Sequence, residues 1–165
     1  MENYLESGHG RALKEERGGP NCVTCHGSHD IRKASIEIIN EERCSQCHSY
    51  DRAKTMKQAL FVVEKLISES ERELQELNRR GVYTDKMEKT LFAIHAQFRT
   101  LFHTVDVALV KQRTEEFTQK LDELQSSINR TFRQLTFRKN YSALFMMLFA
   151  AMAILFFLLS KKYKK

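Results

Sequence analysis

The stretch DRAKTMKQALFVVEKLISESERELQEL, residues 51–77, decides the fold class. Leu60, Val63, Ile67, Leu74 and Leu77 recur at three- and four-residue steps with charged residues between them. That is the period of an amphipathic α-helix, not the alternation of a strand. Asp51 is placed to cap the start, and Gly81, after Arg79 and Arg80, supplies the stop. A second helix is expected from Asp85, with Glu88 completing a capping box and a core stripe of Met87, Leu91, Ile94, Phe98, Leu101 and Val105. The connection is short, so the two helices should form an antiparallel hairpin. Val110, Phe117, Leu121, Leu124, Ile128 and Leu135 then follow near heptad spacing. The expected architecture is mainly α: a loop-rich module over 1–50, a long-helix bundle over 51–140, and a third helix running on toward the C-terminus.

Downstream, Tyr141 through Ser160 is free of charge and long enough for one transmembrane helix. The chain's one proline is Pro20, and no proline or glycine interrupts 110–160, so the third helix is expected to enter the membrane without a break. Tyr141 and Tyr163 are placed for the two interfaces. Arg130, Arg133, Arg138 and Lys139 flank one side; Lys161, Lys162, Lys164 and Lys165, in the basic tail 161–165, flank the other more tightly. The positive-inside comparison is close to a tie. The net charge of +6 and a pI near 9.2 come largely from these groups, so anionic lipid accounts for them better than nucleic acid does. No phosphate loop, nucleophile elbow or paired-carboxylate constellation stands out, and no catalytic residue is assigned.

Upstream, the pentads Cys22-Val23-Thr24-Cys25-His26 and Cys44-Ser45-Gln46-Cys47-His48 contain all four cysteines. Cys-x-x-Cys-His is the attachment pattern of c-type haem. Two sulfurs form thioethers to the vinyl groups, and the histidine reaches the iron from the same short turn. The same cysteines also fit Cys-x2-Cys-x18-Cys-x2-Cys, a spacing that suits one structural zinc. Four thiolates would close that site and leave His26 and His48 without a role. Chance would place a histidine after both pairs about once in a few thousand cases. A disulfide framework suits two-residue spacing less well. The histidines favour haem.

Composition points the same way. Residues 1–50 contain few large apolar groups, chiefly Leu5, Leu13, Val23, Ile31, Ile36, Ile38 and Ile39, with a turn at Gly18-Gly19-Pro20. A segment of that size seldom folds on so small a core without a cofactor, metal or disulfide.

Beyond the pentads, residues 1–50 resemble the multihaem c-type cytochromes. Ser7-Gly8-His9-Gly10 is similar to their Ser-x-His-Gly segment, which implies His9 as a distal ligand. Cys25-His26-Gly27-Ser28-His29-Asp30-Ile31 is similar to their Cys-His-Gly-x-His run, which implies His29 as a ligand to a neighbouring haem. Such proteins usually have further haem sites upstream, which implies a short member, a split gene product or, as is expected for this chain, a subunit of a larger multihaem assembly. On the second helix, Phe92, His95, Arg99, Phe102, His103 and Asp106 share a face away from the core stripe. An aromatic stripe at helical spacing more often packs against a neighbouring helix or faces solvent; the alternative is a haem edge, with Arg99 beside a propionate. With His26 and His48 as proximal ligands, the distal candidates are therefore His9, His29, His103 and His95, in that order. The methionines lie mostly in helical cores or the apolar run, so bis-histidine ligation, with its lower potentials, is favoured.

The expected function is a membrane-anchored dihaem c-type cytochrome transferring electrons in a respiratory-type chain. Its two covalent haems are held by Cys22, Cys25, Cys44 and Cys47. Other redox proteins or multihaem subunits are the expected partners. Haem attachment takes place outside the cytoplasm, so the haem module is expected on the periplasmic side and the C-terminus in the cytoplasm. Residues 1–20 carry Glu2, Glu6, Arg11, Lys14, Glu15, Glu16 and Arg17 but no apolar signal core, so this reading expects an upstream segment or a removed signal. One alternative is a zinc-knuckle, membrane-tethered adaptor with a coiled-coil stalk, its single zinc held by the four cysteines. Another is a quinol-oxidising cytochrome subunit.

Overall fold

The computed structural model describes residues 2–15, 18–29 and 35–163. Of the residues named above, Glu16, Arg17, Asp30, Ile31, Lys164 and Lys165 lie outside that set. The fold is mainly helical, with 82% helix and no strand among the described residues. Four short helices come first: α1 (Glu2–Leu5), α2 (Gly8–Lys14), α3 (Cys22–His26) and α4 (Glu41–Cys44), with a 3-10 turn at Ile36–Ile38. Three long ones follow: α5 (Asp51–Arg79), α6 (Asp85–Arg99) and α7 (Val107–Tyr163). Two compact units divide the chain, one ending at Gln125 and the other starting at Ser126.

In the first unit the stripe on residues 51–77 becomes a core. Leu60, Val63, Ile67, Leu74 and Leu77 of α5 are buried, as are Leu91, Ile94 and Phe98 of α6 and Val110, Phe117, Leu121 and Leu124 of α7. Each such side chain contributes about 1.5–3 kcal/mol by leaving water. The α5–α6 pair is antiparallel: Asn78 Nδ2 donates to Glu88 Oε1 at 3.4 Å, and Glu71 meets His95 at 3.4 Å further along. Between the helices Gly81 adopts φ +78°, a left-handed conformation that only glycine takes without strain, and the Val82 N–H closes on Leu77 O. Helix α7 joins through Gln125, which accepts from the Ser70 hydroxyl at 3.5 Å and donates to Glu73. Phe98 and Phe117 meet edge to face at 6.1 Å.

The helix ends differ from the expected ones. Asp51 is the first helical residue and not the cap, a place held by Tyr50 without a side-chain bond. There its carboxylate faces the positive end of the helix dipole. Helix α6 starts at Asp85 but has no capping box: Thr84 is the cap residue, and its Oγ1 takes the Glu88 carboxylate at 2.5 Å. The α6 core stripe also stops being helical before Val105. Thr100 Oγ1 bonds to Gln97 O at 2.7 Å, and the chain tightens into a 3-10 turn over Thr100–His103 before Thr104 extends. Leu101 remains buried, whereas Met87 and Val105 are half-buried. Asp106, expected on the outer face of α6, instead caps α7: its Oδ1 accepts from the N–H groups of Ala108 and Leu109 at 2.9 and 3.0 Å.

The second unit is the remainder of α7. Ile128 is buried and Leu135 half-buried. From Tyr141 to Leu159 every residue is exposed, and among the described residues this is the one helix long and apolar enough to cross a membrane.

Candidate haem site

Residues 2–50 are built locally, turn by turn. In α3, Asn21 and Thr24 form a reciprocal cap: Asn21 Oδ1 accepts the Thr24 N–H at 3.0 Å and Thr24 Oγ1 accepts the Asn21 N–H at 3.1 Å. Gly27, at φ +77°, ends the helix directly after His26. Cys22, Cys25 and His26 thus stand at i, i+3 and i+4 of one helix and share a face. Asn40 starts α4 by accepting the Arg43 N–H at 3.0 Å, and a turn then carries Cys47 and His48. All four thiols are free; Cys22 and Cys47 are exposed, and Cys25 and Cys44 half-buried.

Arg43 draws the two pentads together by donating to the carbonyl of Cys25. Burial raises the Cys25 thiol pKa, as do Cys44 and Cys22 nearby, and the Arg43 charge partly offsets them. Tyr4 donates to the carbonyl of Pro20 and so ties α1 to the entry of the first pentad. Its own pKa is raised, first by burial and then by Cys22 and Cys25.

The histidines form two facing pairs. His9 lies opposite His48, ring centres 6.0 Å apart and planes 21° from parallel. His26 lies opposite His103 at 6.3 Å and 30°. Two imidazoles bound through nitrogen on opposite sides of one metal, with bonds of about 2 Å each, place their ring centres about 6 Å apart; the two stacked pairs have that separation. Each pair joins one pentad histidine to one histidine distant in sequence. Burial lowers the His9 pKa, and His48 lowers it further; this favours the neutral ring, the form that ligates metals. His48 Nδ1 lies 2.8 Å from Ser49 O. A carbonyl only accepts, so Nδ1 is the donor in this contact, and in the neutral ring Nε2 is then the lone-pair nitrogen.

His9 is positioned by its neighbours in the Ser-Gly-His-Gly segment. The Ser7 Oγ caps α2 by accepting the Gly10 N–H at 3.1 Å, and its hydroxyl donates to Tyr4 O at 2.6 Å. Gly10 is buried against the α1 backbone, where an added Cβ would lie 2.6 Å from Leu5 Cα. Gly19 passes as closely on the other side, its Cβ position 2.6 Å from both His9 O and Leu13 N. His103 owes its place to the 3-10 turn that ends α6.

The other two distal candidates stand elsewhere. His29 is exposed, and no described histidine faces it. His95 is half-buried with its Nδ1 3.4 Å from Glu71 of α5. Of the outer face of α6, Phe92 is exposed, Phe102 packs edge-on to Phe98 at 5.2 Å, and Arg99 is exposed. Sequence reading missed Arg43, Tyr4 and the Ser49 carbonyl. None of them belongs to a motif; their roles arise from contacts made on folding. Among the described residues no three or more His, Cys, Asp or Glu side chains converge as a metal shell. No protein-family model, curated protein or solved structure matches the chain.

Proposed function

We propose that the chain is a membrane-anchored dihaem c-type cytochrome that carries electrons in a respiratory-type chain. One observation carries the reading: both pentad histidines face a second histidine at 6.0 and 6.3 Å, with rings near parallel. A porphyrin fills four positions around its iron, so each site asks the protein for only two axial donors. Two-donor pairs suit that need. A four-cysteine zinc centre would use the four thiolates and leave both pentad histidines without a role.

In this assignment Cys22 and Cys25 would hold one haem, with His26 and His103 as its iron donors. Cys44 and Cys47 would hold the other, with His48 and His9. When bound, each haem supplies a reversible one-electron couple. The protein's part is to fix the rings, orient the His48 proton onto Ser49 O and, through Arg43, keep the two attachment segments together. The apolar run of α7 serves as the anchor, with the haem module on the periplasmic side and the C-terminus in the cytoplasm. Other redox proteins or multihaem subunits are the partners.

Intact mass and the visible spectrum of protein made with haem-attachment machinery test this. The expected result is two covalent haems per chain with a reducible, low-spin spectrum. Replacing His9 or His103 by Ala should each remove the low-spin signature of one haem, while His29→Ala leaves both. A colourless protein with one zinc per chain would overturn the proposal.

A further inference from the structure

The charge of the chain is unevenly placed. Leu124 to Lys165 contains eight Lys and Arg and no Asp or Glu, against a total of +6, so the residues before it are net acidic. On α7, Arg130, Arg133, Gln134, Phe137 and Arg138 line a shallow concavity of about 460 Å³. With Tyr141 they occupy an arc of about 140° on the helix, on the side away from the buried stripe of Leu121, Leu124 and Ile128. Packing of that stripe therefore does not account for them.

The arginines also differ from those earlier in the chain. Arg79 and Arg80 pair with Glu76, and Arg113 pairs with Glu116. No carboxylate among the described residues pairs with Arg130, Arg133 or Arg138. Below Arg130 and Arg133, Phe137 and Tyr141 lie with ring centres 4.1 Å apart and planes tilted by 38°, each about half exposed. Tyr141 opens the charge-free run. Along this face the order is guanidinium, aromatic ring, apolar chain. A membrane leaflet has the same order: phosphate, interface, acyl region.

We propose that this face of α7 binds the phosphate headgroups of anionic phospholipids. Arg133 lies about 6 Å along the helix from Phe137, and Arg138 is its neighbour. The first distance is comparable to a headgroup layer of about 5–7 Å; Arg138, about 1.5 Å nearer the apolar run, reaches back to that layer through its long stem. Arg130 stands about 10 Å out, within reach of that layer through its long stem. A free anion would use the guanidinium groups alone. The aromatic pair beneath them selects a ligand with an acyl chain.

The test uses full-length protein in bilayer discs of phosphatidylcholine with increasing phosphatidylglycerol, and measures the phosphatidylglycerol retained per chain after detergent extraction. Wild type should retain it in preference to phosphatidylcholine. The triple variant Arg130→Gln, Arg133→Gln, Arg138→Gln should lose at least about fivefold of that preference. Arg138→Gln alone, a single exposed change, should lose part of it. Replacing Lys161, Lys162, Lys164 and Lys165 by Gln should leave most of it, and inorganic phosphate at constant ionic strength should not displace the lipid. Equal retention by wild type and the triple variant would overturn the proposal. So would dependence on the tail lysines alone, or full displacement by phosphate. None of these outcomes depends on the haem assignment.

Discussion

Residues 2–50 and the helices α5–α7 are stabilised by different means. In the bundle a continuous set of Leu, Val, Ile and Phe side chains is buried, with Leu60, Val63, Leu77 and Val110 at 0% exposure. In the N-terminal part, Gly10 and Ile36 are the buried residues among those described, and the turns are held by side-chain caps from Ser7, Asn21 and Asn40. Caps contribute about 0.5–2 kcal/mol each, less than burial of a single core leucine. The bundle has its own source of stability. The small module has no comparable core among its described residues; on the proposed reading, two haems would supply large apolar surfaces.

The contrast is broken most directly by withholding haem. Protein made without the attachment machinery should be cut by trypsin at sites before Asp51, while the Leu60–Leu124 core resists; haem-loaded protein should resist in both regions. Equal protection of the two forms, mapped by mass spectrometry, would show that the module stands unaided. The next largest effect is expected in the bundle. Leu74→Ala removes a side chain 2% exposed and should cost about 2–5 kcal/mol in denaturant unfolding of the helical signal. The visible spectrum of the haems should stay unchanged.

Two smaller changes sharpen the comparison. In Gly10→Ala the new Cβ meets Tyr4 O and the Leu5 backbone, so α2 must shift and carry His9 with it. We expect a loss of about 1–3 kcal/mol in the module and weakened low-spin character in one haem only. Disturbance of both haems would point to general unfolding. His95→Gln removes the contact with Glu71, a partly exposed pair of a kind worth less than about 1 kcal/mol. Thermal unfolding should move slightly and the spectrum not at all; a lost low-spin band would make His95 an axial ligand.

Much of the bundle is legible in the sequence because helical burial repeats every three or four residues. Leu60, Val63, Ile67, Leu74 and Leu77 all lie in the core. The helix ends are less legible, since they depend on competition between nearby hydrogen-bonding groups. Thr84 takes Glu88 in place of a capping box, and Thr100 turns the end of α6. Asp106 illustrates the difficulty: a helical wheel places it on the face of His103, yet it ends as the cap of the next helix.

By itself the sequence determined what depends on near neighbours: the grouping of Cys22, Cys25 and His26 on one turn, the amphipathic stripes, and the charge-free run after Tyr141. Only the tertiary structure decided which histidines face one another. His9 meets His48 because α2 packs on the α1 backbone through Gly10, and His103 meets His26 because a 3-10 turn ends α6. His29 and His103 are both exposed, but among the described residues only His103 has a histidine opposite. A local motif can name a donor, but the pairing of donors far apart in the chain is set by how the elements between them pack.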